Sequence, residues 1–247
     1  MTCNALPHLT VVLFDLYGTL LDVRLNEDST RLWHGLAAVI RTLGGAAHAS
    51  DVRLRFREIM REEGARYQEG FVMEPALRSL LTAFGARDDV RRAGREFREL
   101  SLEELTMRSY VEPLFKDIRD SGCKVGIVSN TEAVLTQYDL SRFPLLLAAD
   151  TVVLSSEAGV RKPDPRIFQL ALERLGGSAE GSAFVGNSLA EDVEGARRAG
   201  LRAVHLDDGA RGIEPVGGDA SALHVEATYA ALTAALERLG WRRVVSS

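Results

Sequence analysis

The sequence has few of the features that mark secreted or membrane proteins. Its 247 residues include only two cysteines, Cys3 and Cys123, without metal-type spacing. It has no apolar leader that resembles a signal peptide, so we expect a cytoplasmic protein without structural disulfides. No apolar run approaches the length needed to span a bilayer, and we therefore expect no membrane association.

A surplus of basic residues is also missing. The chain has 30 Lys and Arg against 35 Asp and Glu, a net charge of -5. Binding nucleic acid through its phosphates requires a concentrated basic face, so we expect no nucleic-acid partner. Histidine is sparse too and lacks ligand spacing, which argues against a histidine-bound metal. The five histidines are His8, His34, His48, His205 and His224.

Apolar residues make up 46% of the chain, enough for a real core, and they recur in runs of strand length. The runs are Leu9 to Leu16, Lys124 to Val128, Thr151 to Leu154, Ser182 to Val185 and Arg202 to Leu206. Helical stretches separate them, at Leu114 to Ser121, Pro165 to Leu175 and Leu189 to Ala199. This alternation predicts an α/β fold: a Rossmann-like, mostly parallel sheet with helices on both faces.

The stretch from about residue 25 to residue 108 contains no convincing strand and instead shows helical stripes of apolar residues. The stripes run through Leu32 to Leu43, Val52 to Met60, Leu77 to Phe84 and Val90 to Phe97. We therefore predict a small all-helical cap domain at 24–109, inserted into a core domain at 1–23 and 110–247. Such a cap could close over the strand ends and exclude water.

Four short segments carry the polar residues of interest. They are FDLYGTLLD from Phe14 to Asp22, VSN from Val128 to Asn130, RKPDPRIF from Arg161 to Phe168, and VGNSLAEDVEGA from Val185 to Ala196. Each falls where an apolar strand ends or shortly beyond it. The carboxyl ends of parallel strands share one crevice, so these segments predict a single active site.

Together the four segments resemble the motifs of the haloacid dehalogenase superfamily, which also inserts a helical cap between its first two motifs. The resemblance implies catalytic residues at Asp15, Ser129, Lys162 and Asp192. It also places Tyr17, Gly18, Thr19 and Asn130 beside the substrate, which is expected to be a small anion.

The residue types suit these roles. A carboxylate such as Asp15 at a strand end can attack carbon or phosphorus and form an aspartyl ester or phosphate. Lys162 would offset the crowding of carboxylates and the charge that develops on the substrate. Ser129 has a second explanation, because Ser129, Asn130 and Thr131 are all good residues for capping the following helix.

Two residues depart from the phosphatase pattern. Phosphatases of this superfamily generally carry aspartate two residues after the nucleophile, where this chain has Tyr17, a poor acid and base near neutral pH. They also use an aspartate as magnesium ligand where this chain has Asn187. If magnesium is used, the resemblance implies Asp15, Tyr17, Asn187 and Asp192 as its ligands, and binding should be weak.

Other residues depart from the dehalogenase pattern. Those enzymes usually have tyrosine at the position of Phe168 and a Ser-Ser-Asn arrangement near Gly186 to Ser188. The cap arginine that would hold a halide is not identifiable, and Arg24, Arg31 and Arg41 are candidates by location only.

Three hypotheses remain open. The leading one is a hydrolase that acts through an ester on Asp15, with a preference for carbon–halogen substrates because of Tyr17 and Asn187; it would need no cofactor. The second is a magnesium-dependent phosphatase of small phosphate esters. The third is a fold that has lost efficient catalysis and serves as a binding or regulatory module. The chain is expected to act as a monomer or homodimer.

Overall fold

A computed structural model describes residues 6–66, 72–209 and 212–244. Cys3 lies outside these residues, and Cys123 is buried with a free thiol. The strands are β1 Val11–Phe14, β2 Leu21–Leu25, β3 Leu102–Met107, β4 Lys124–Ser129, β5 Thr151–Leu154, β6 Ser182–Gly186, β7 Arg202–Leu206, β8 Ile213–Val216 and β9 Asp219–Val225. The helices are α1 Thr30–Thr42, α2 Ala49–Arg66, α3 Met73–Ala83, α4 Val90–Ser101, α5 Val111–Asp120, α6 Ala133–Ser141, α7 Pro144–Leu147, α8 Ser155–Ala158, α9 Pro165–Leu175, α10 Glu194–Arg198 and α11 Tyr229–Arg238.

Seven strands form the main sheet, in the order β5-β4-β1-β6-β7-β9-β8. The first six of these are parallel, and the edge strand β8 is antiparallel to β9. All five predicted strands are present, and the predicted α/β class is confirmed. Strands β1 and β6 are buried along their whole length and β4 is buried except at Lys124, because helices cover both faces of a sheet of this kind.

Successive residues of β1 point to opposite faces of the sheet, as strand geometry requires. Leu13 belongs to an apolar cluster that includes Phe168 of α9. Its neighbour Phe14 packs instead on Phe115 of α5, with ring centroids 5.2 Å apart. The helices therefore lie on two faces, as predicted, and the strand ends between them are left for the polar loops.

One detail differs from the sequence predictions. The helix predicted from Leu189 to Ala199 is a π-helical turn over Leu189–Val193 followed by the short helix α10. Strand β8 was not among the predicted strands, because it is short and contains Pro215, which suits an edge strand.

The chain divides into two compact units. The first comprises Met1–Asp22, Thr106–Asn130 and Leu145–Ser247, and holds the main sheet. The second comprises Val23–Leu105 and Thr131–Pro144. It therefore includes α6, which the predicted division had assigned to the core. The physical reason is a buried ion pair within this unit, in which Arg98 of α4 binds Asp139 of α6 with an Nη2–Oδ2 distance of 2.5 Å.

The second unit contains the predicted helices. Its apolar stripes meet in one buried cluster that is built from α1 to α4. The expectation of no strand in this stretch was wrong, however, because β3 pairs with β2 in a two-stranded sheet. Strand β3, LEELTM, has few β-branched residues and is mostly exposed, so its sequence carries little strand signal. Within the described residues, no helix is long and apolar enough to cross a bilayer.

Candidate active site

The polar residues of the four segments lie at the carboxyl edge of the main sheet. Asp15 directly follows β1, and its backbone N–H donates to the carbonyl of Val185 on β6, at 2.9 Å. Ser129 is the last residue of β4 and is buried. Helix α6 begins four residues later with Glu132 at its N-cap, so Ser129 is not the capping residue. Asp192 lies in the π-helical turn that follows β6.

Lys162 joins the two acidic residues. Its Nζ lies 2.6 Å from Asp15 Oδ1 and 2.6 Å from Asp192 Oδ1. The exposed fractions are 2% for Lys162, 7% for Asp15 and 1% for Asp192. The ammonium also lies 5.2 Å from the centroid of the Phe184 ring. Three charged groups are thus held out of water with a formal charge of -1, and the predicted meeting of Asp15 with Lys162 and Asp192 is present.

Asn130 holds the backbone of Lys162 in place. Its side-chain Nδ2 donates to the Lys162 carbonyl at 2.9 Å, and its Oδ1 accepts from the Lys162 N–H at 2.7 Å. Asn130 was predicted to lie beside the substrate, and that stays a prediction. Its two hydrogen bonds fix the backbone of Lys162.

Asp192 is held from its other side by the loop after β6. Its Oδ2 accepts from the backbone N–H of Ser188 at 2.9 Å. Gly186 permits this approach, because a Cβ at Gly186 would overlap the Asp192 carboxyl group. Both oxygens of Asp192 are therefore engaged, one by an ammonium and one by a peptide N–H.

The turn after the nucleophile also packs closely. Thr19 Oγ1 donates to Asp15 Oδ2 at 3.4 Å. Gly18 has φ +77°, and a Cβ there would overlap the side-chain amide of Asn187. Glycine is thus required at this position both by the backbone conformation and by the amide of the fourth motif. Tyr17 is half-buried in the same turn.

Burial and charge act on the ionisable groups in opposite directions. Burial raises the pKa of Asp15, the ammonium of Lys162 lowers it and the charge of Asp192 raises it, so that its pKa lies above the ordinary 3.8. Burial alone would lower the pKa of Lys162. The attraction of Asp15 and Asp192 outweighs it, so that the pKa of Lys162 lies above 10.5. Lys162 is therefore a permanent cation in this site.

The residues that the resemblance implies for magnesium offer hard oxygen donors. The side-chain amide of Asn187 lies against Gly18, in the turn that follows Asp15. Both oxygens of Asp15 and both oxygens of Asp192 have hydrogen-bond partners. Across the described ranges no group of three or more His, Cys, Asp or Glu residues forms a metal cluster. An amide in place of one carboxylate fits a weakly held magnesium ion.

A polar cavity of about 370 Å³ opens beside Gly18 and Asn187. Arg108 lines it and is held by two carboxylates, with distances of 2.9 Å to Asp22 Oδ1 and 2.9 Å to Asp208 Oδ1. Sequence analysis gave no signal for Arg108, because it lies between β3 and α5 and far from the motifs. It provides a cation at the edge of the predicted crevice.

Two histidines dismissed in the sequence analysis lie on the same edge. His205 Nε2 is 3.0 Å from the backbone carbonyl of Asn187, and His205 Nδ1 is 2.8 Å from His224 Nδ1. His224 Nε2 is 3.3 Å from Asp207 Oδ2. Burial lowers the pKa of His205. The spacing of the histidines in the sequence did not predict this pair, because the register of β7 and β9 brings the two rings together.

Comparison with known proteins assigns the family. A family model described as haloacid dehalogenase-like hydrolase matches residues 9–200. The chain therefore belongs to the haloacid dehalogenase-like hydrolases and is an enzyme of that class. It is 31% identical to a glyceraldehyde 3-phosphate phosphatase of Methanopyrus kandleri, over 80% of this chain and 84% of that protein. It is 28% identical to (S)-2-haloacid dehalogenase 4A of Burkholderia cepacia, over 81% of this chain and 83% of that protein.

Solved structures are similar to this chain as well. A phosphatase of this family from Thermococcus onnurineus superimposes with a TM-score of 0.53 and 26% identity, covering 83% of this chain and 89% of that chain. A 2-haloacid dehalogenase from Pseudomonas syringae pv. Tomato superimposes with a TM-score of 0.62 and 21% identity, covering 93% of this chain and 99% of that chain. The latter likeness concerns the fold alone.

Proposed function

We propose that this protein hydrolyses a small anionic substrate through a covalent ester on Asp15, and that the substrate carries a leaving group on carbon, as in 2-haloacids. Lys162 holds the nucleophile and offsets developing negative charge. Ser129, with backbone N–H groups at the strand ends, binds the substrate anion. Asp192 orients the water of the second step. A cytoplasmic location and a monomeric or dimeric state remain predictions.

One observation carries the preference for a carbon–halogen bond. Both buried carboxylates of the site bind the same ammonium at 2.6 Å, and the position two residues after the nucleophile is Tyr17. A phosphate ester needs a proton for its alkoxide leaving group, and general acid catalysis contributes about 10²–10⁴-fold. A halide leaves without a proton. The site is thus better suited to a leaving group that is already a weak base.

The reaction balances with the groups present. A carboxylate oxygen of Asp15 displaces the halide from the substrate carbon: a C–O bond forms, the C–X bond breaks, and the halide leaves with the electron pair. Water then attacks the ester carbonyl of Asp15 and loses a proton to solvent. The products are a 2-hydroxyacid, the halide and the free Asp15 carboxylate. Asp192 is suited to align this water, because its position is fixed from two sides.

The test uses the intact protein and a panel of 2-chloro and 2-bromo acids in excess chelator. We expect halide release that is abolished in Asp15→Asn. Single turnover in H₂¹⁸O should place the label in the peptide that contains Asp15, because water attacks the ester carbonyl. Absence of halide release across the panel, or label found only in the product, contradicts the proposal. A matched control is Asp164→Asn, which removes a half-buried carboxylate of the third motif that pairs with Arg166, outside the Lys162 cluster.

A second candidate is a magnesium-dependent phosphatase. The observation in its favour is the Asn187 amide, a hard oxygen donor that lies against the turn following Asp15, and the phosphatase relative supports it as well. When bound, magnesium would neutralise charge on the transferring phosphoryl group. Phosphate release from an aryl phosphate that requires magnesium in the unmodified protein would favour this candidate over the first.

The two candidates also differ in their response to a designed change. Tyr17→Asp supplies the missing acid, and Asn187→Asp supplies the missing metal carboxylate. If carbon–halogen hydrolysis is the native reaction, the double variant should gain magnesium-dependent phosphatase activity and lose halide release. If the unmodified protein forms no adduct on Asp15 with either substrate class, a binding or regulatory role replaces both candidates.

A further inference from the structure

The peptide unit between Asn187 and Ser188 is held at both of its ends. Its carbonyl oxygen, which belongs to Asn187, faces Nε2 of His205 at 3.0 Å. Its N–H group, which belongs to Ser188, donates to Asp192 Oδ2 at 2.9 Å. Because a peptide unit is planar and rigid, fixing the carbonyl fixes the direction in which the N–H points.

The partners of the two imidazole rings determine where the ring protons lie. A carbonyl oxygen only accepts, so Nε2 of His205 carries a proton. The two Nδ1 atoms are 2.8 Å apart, a distance that is stable only with one proton between them. Nε2 of His224 lies 3.3 Å from Asp207 Oδ2.

The proton between the two rings belongs to Nδ1 of His224. His205 is 6% exposed and its Nε2 faces a neutral carbonyl, so a second proton on this ring would place a charge where burial opposes it. Nδ1 of His205 therefore accepts, and His224 donates its Nδ1–H to it. This keeps His205 in the Nε2–H form that the Asn187 carbonyl requires.

We propose that His205 is a positioning residue for this active site: it clamps the Asn187–Ser188 peptide unit so that the Ser188 N–H holds Asp192, while the Nδ1–H of His224 selects the His205 tautomer. The proposal rests on the proposed function, because Asp192 matters through the water of the second step. Loss of the clamp should slow hydrolysis of the Asp15 ester more than its formation.

Two substitutions separate positioning from simple packing. His205→Phe keeps the ring but has no N–H, so the Asn187 carbonyl loses its donor. His205→Gln keeps an amide N–H that can reach the carbonyl. A hydrogen bond of this kind corresponds to about 2- to 10-fold in rate. We expect kcat to fall by about that factor in His205→Phe, KM to fall with it so that kcat/KM changes little, and the Asp15 ester to accumulate. His205→Gln should recover most of the rate, and His34→Gln, at an exposed histidine, should behave as wild type.

A measurement that needs no substrate tests this proposal separately from the proposed function. In the intact protein with ¹⁵N-labelled histidine, NMR should show His205 protonated at Nε2 and not at Nδ1, and His224 protonated at Nδ1. The Ser188 amide resonance should move in His205→Phe and stay near its wild-type position in His205→Gln. A His205 ring protonated only at Nδ1, or a Ser188 resonance that is unchanged in His205→Phe, overturns the proposal even if the enzyme is active. If neither substrate class is turned over while these signals are as expected, the proposed function fails and the clamp stands.

Discussion

Replacing Lys162 by methionine should destabilise the first unit, because it leaves two carboxylates buried without a cation. Asp15 Oδ1 and Asp192 Oδ1 both lie 2.6 Å from Lys162 Nζ and are therefore within about 5 Å of each other. Two unit charges at that distance repel by about 3 kcal/mol at an effective dielectric constant of 20. Removing one partner of a buried ion pair costs about 3–5 kcal/mol in general, so the two estimates agree.

Replacing Asp15 by asparagine should instead stabilise the first unit. Its folded pKa lies above its ordinary value because burial opposes its charge, so the ionised carboxylate weakens the fold at neutral pH. A neutral amide removes this cost and brings the charged cluster of Lys162 and Asp192 to zero net charge. We expect the free energy of unfolding to rise in Asp15→Asn. The double variant Asp15→Asn/Lys162→Met should recover part of the loss seen in Lys162→Met.

Urea unfolding at pH 7 measures these changes, and tryptophan fluorescence can isolate the first unit. The chain has two tryptophans, and Trp33→Phe leaves Trp241, which is 3% exposed and donates its Nε1–H to Ser121 Oγ at 2.8 Å. The loss in Lys162→Met should shrink at pH 5, because protonation of a crowded carboxylate relieves the repulsion. The reasoning is refuted if Lys162→Met is as stable as its parent, or if Asp15→Asn is the less stable of the two variants.

Two further predictions concern activity. First, the acidic limb of kcat/KM should lie above pH 3.8, because the nucleophile must be ionised and burial raises the pKa of Asp15; activity is then present above that pKa and lost as the pH falls through it. A pH–rate profile over a range in which the fold is intact checks this, and a limb at or below pH 3.8 contradicts it. Second, Gly18→Ala should reduce kcat at least tenfold, since its Cβ would displace the Asn187 amide, and φ +77° adds a strain of about 1–2 kcal/mol. The control is Gly122→Ala, where φ is +79° and nothing lies within 4 Å: it carries the same strain, so equal kcat in the two variants would exclude the steric explanation.

Local chemistry explains why much of the core was predictable from sequence. Apolar runs such as Thr151–Leu154 were predicted as strands with their observed bounds. Asp164 caps the N-terminus of α9, Pro165 lies in its first turn, and Gly176 caps its C-terminus. Residues of these types mark the two ends of a helix in the sequence itself. The order of strands and helices then predicts a parallel sheet, and the parallel sheet places Asp15 and Asp192 at one edge.

The sequence predictions that were wrong concern interactions between distant parts of the chain. Strand β3 has weak local preference and exists because it pairs with β2. The expected helix at Leu189 begins as a π-helical turn that holds Asp192, and no composition signal predicts this. The π-helical form is rare overall and common at functional sites.

The amino-acid sequence by itself determined the fold class, the helical insertion and the residues that could react, because strand runs, helix caps and motif order are local properties. Only the tertiary structure decided how these residues are paired. It placed one buried ammonium against two carboxylates, turned Asn130 towards the lysine backbone, and brought His205 beside His224 through the register of two parallel strands. Such pairings depend on distances between chain segments far apart in sequence, and those distances are set when the sheet assembles.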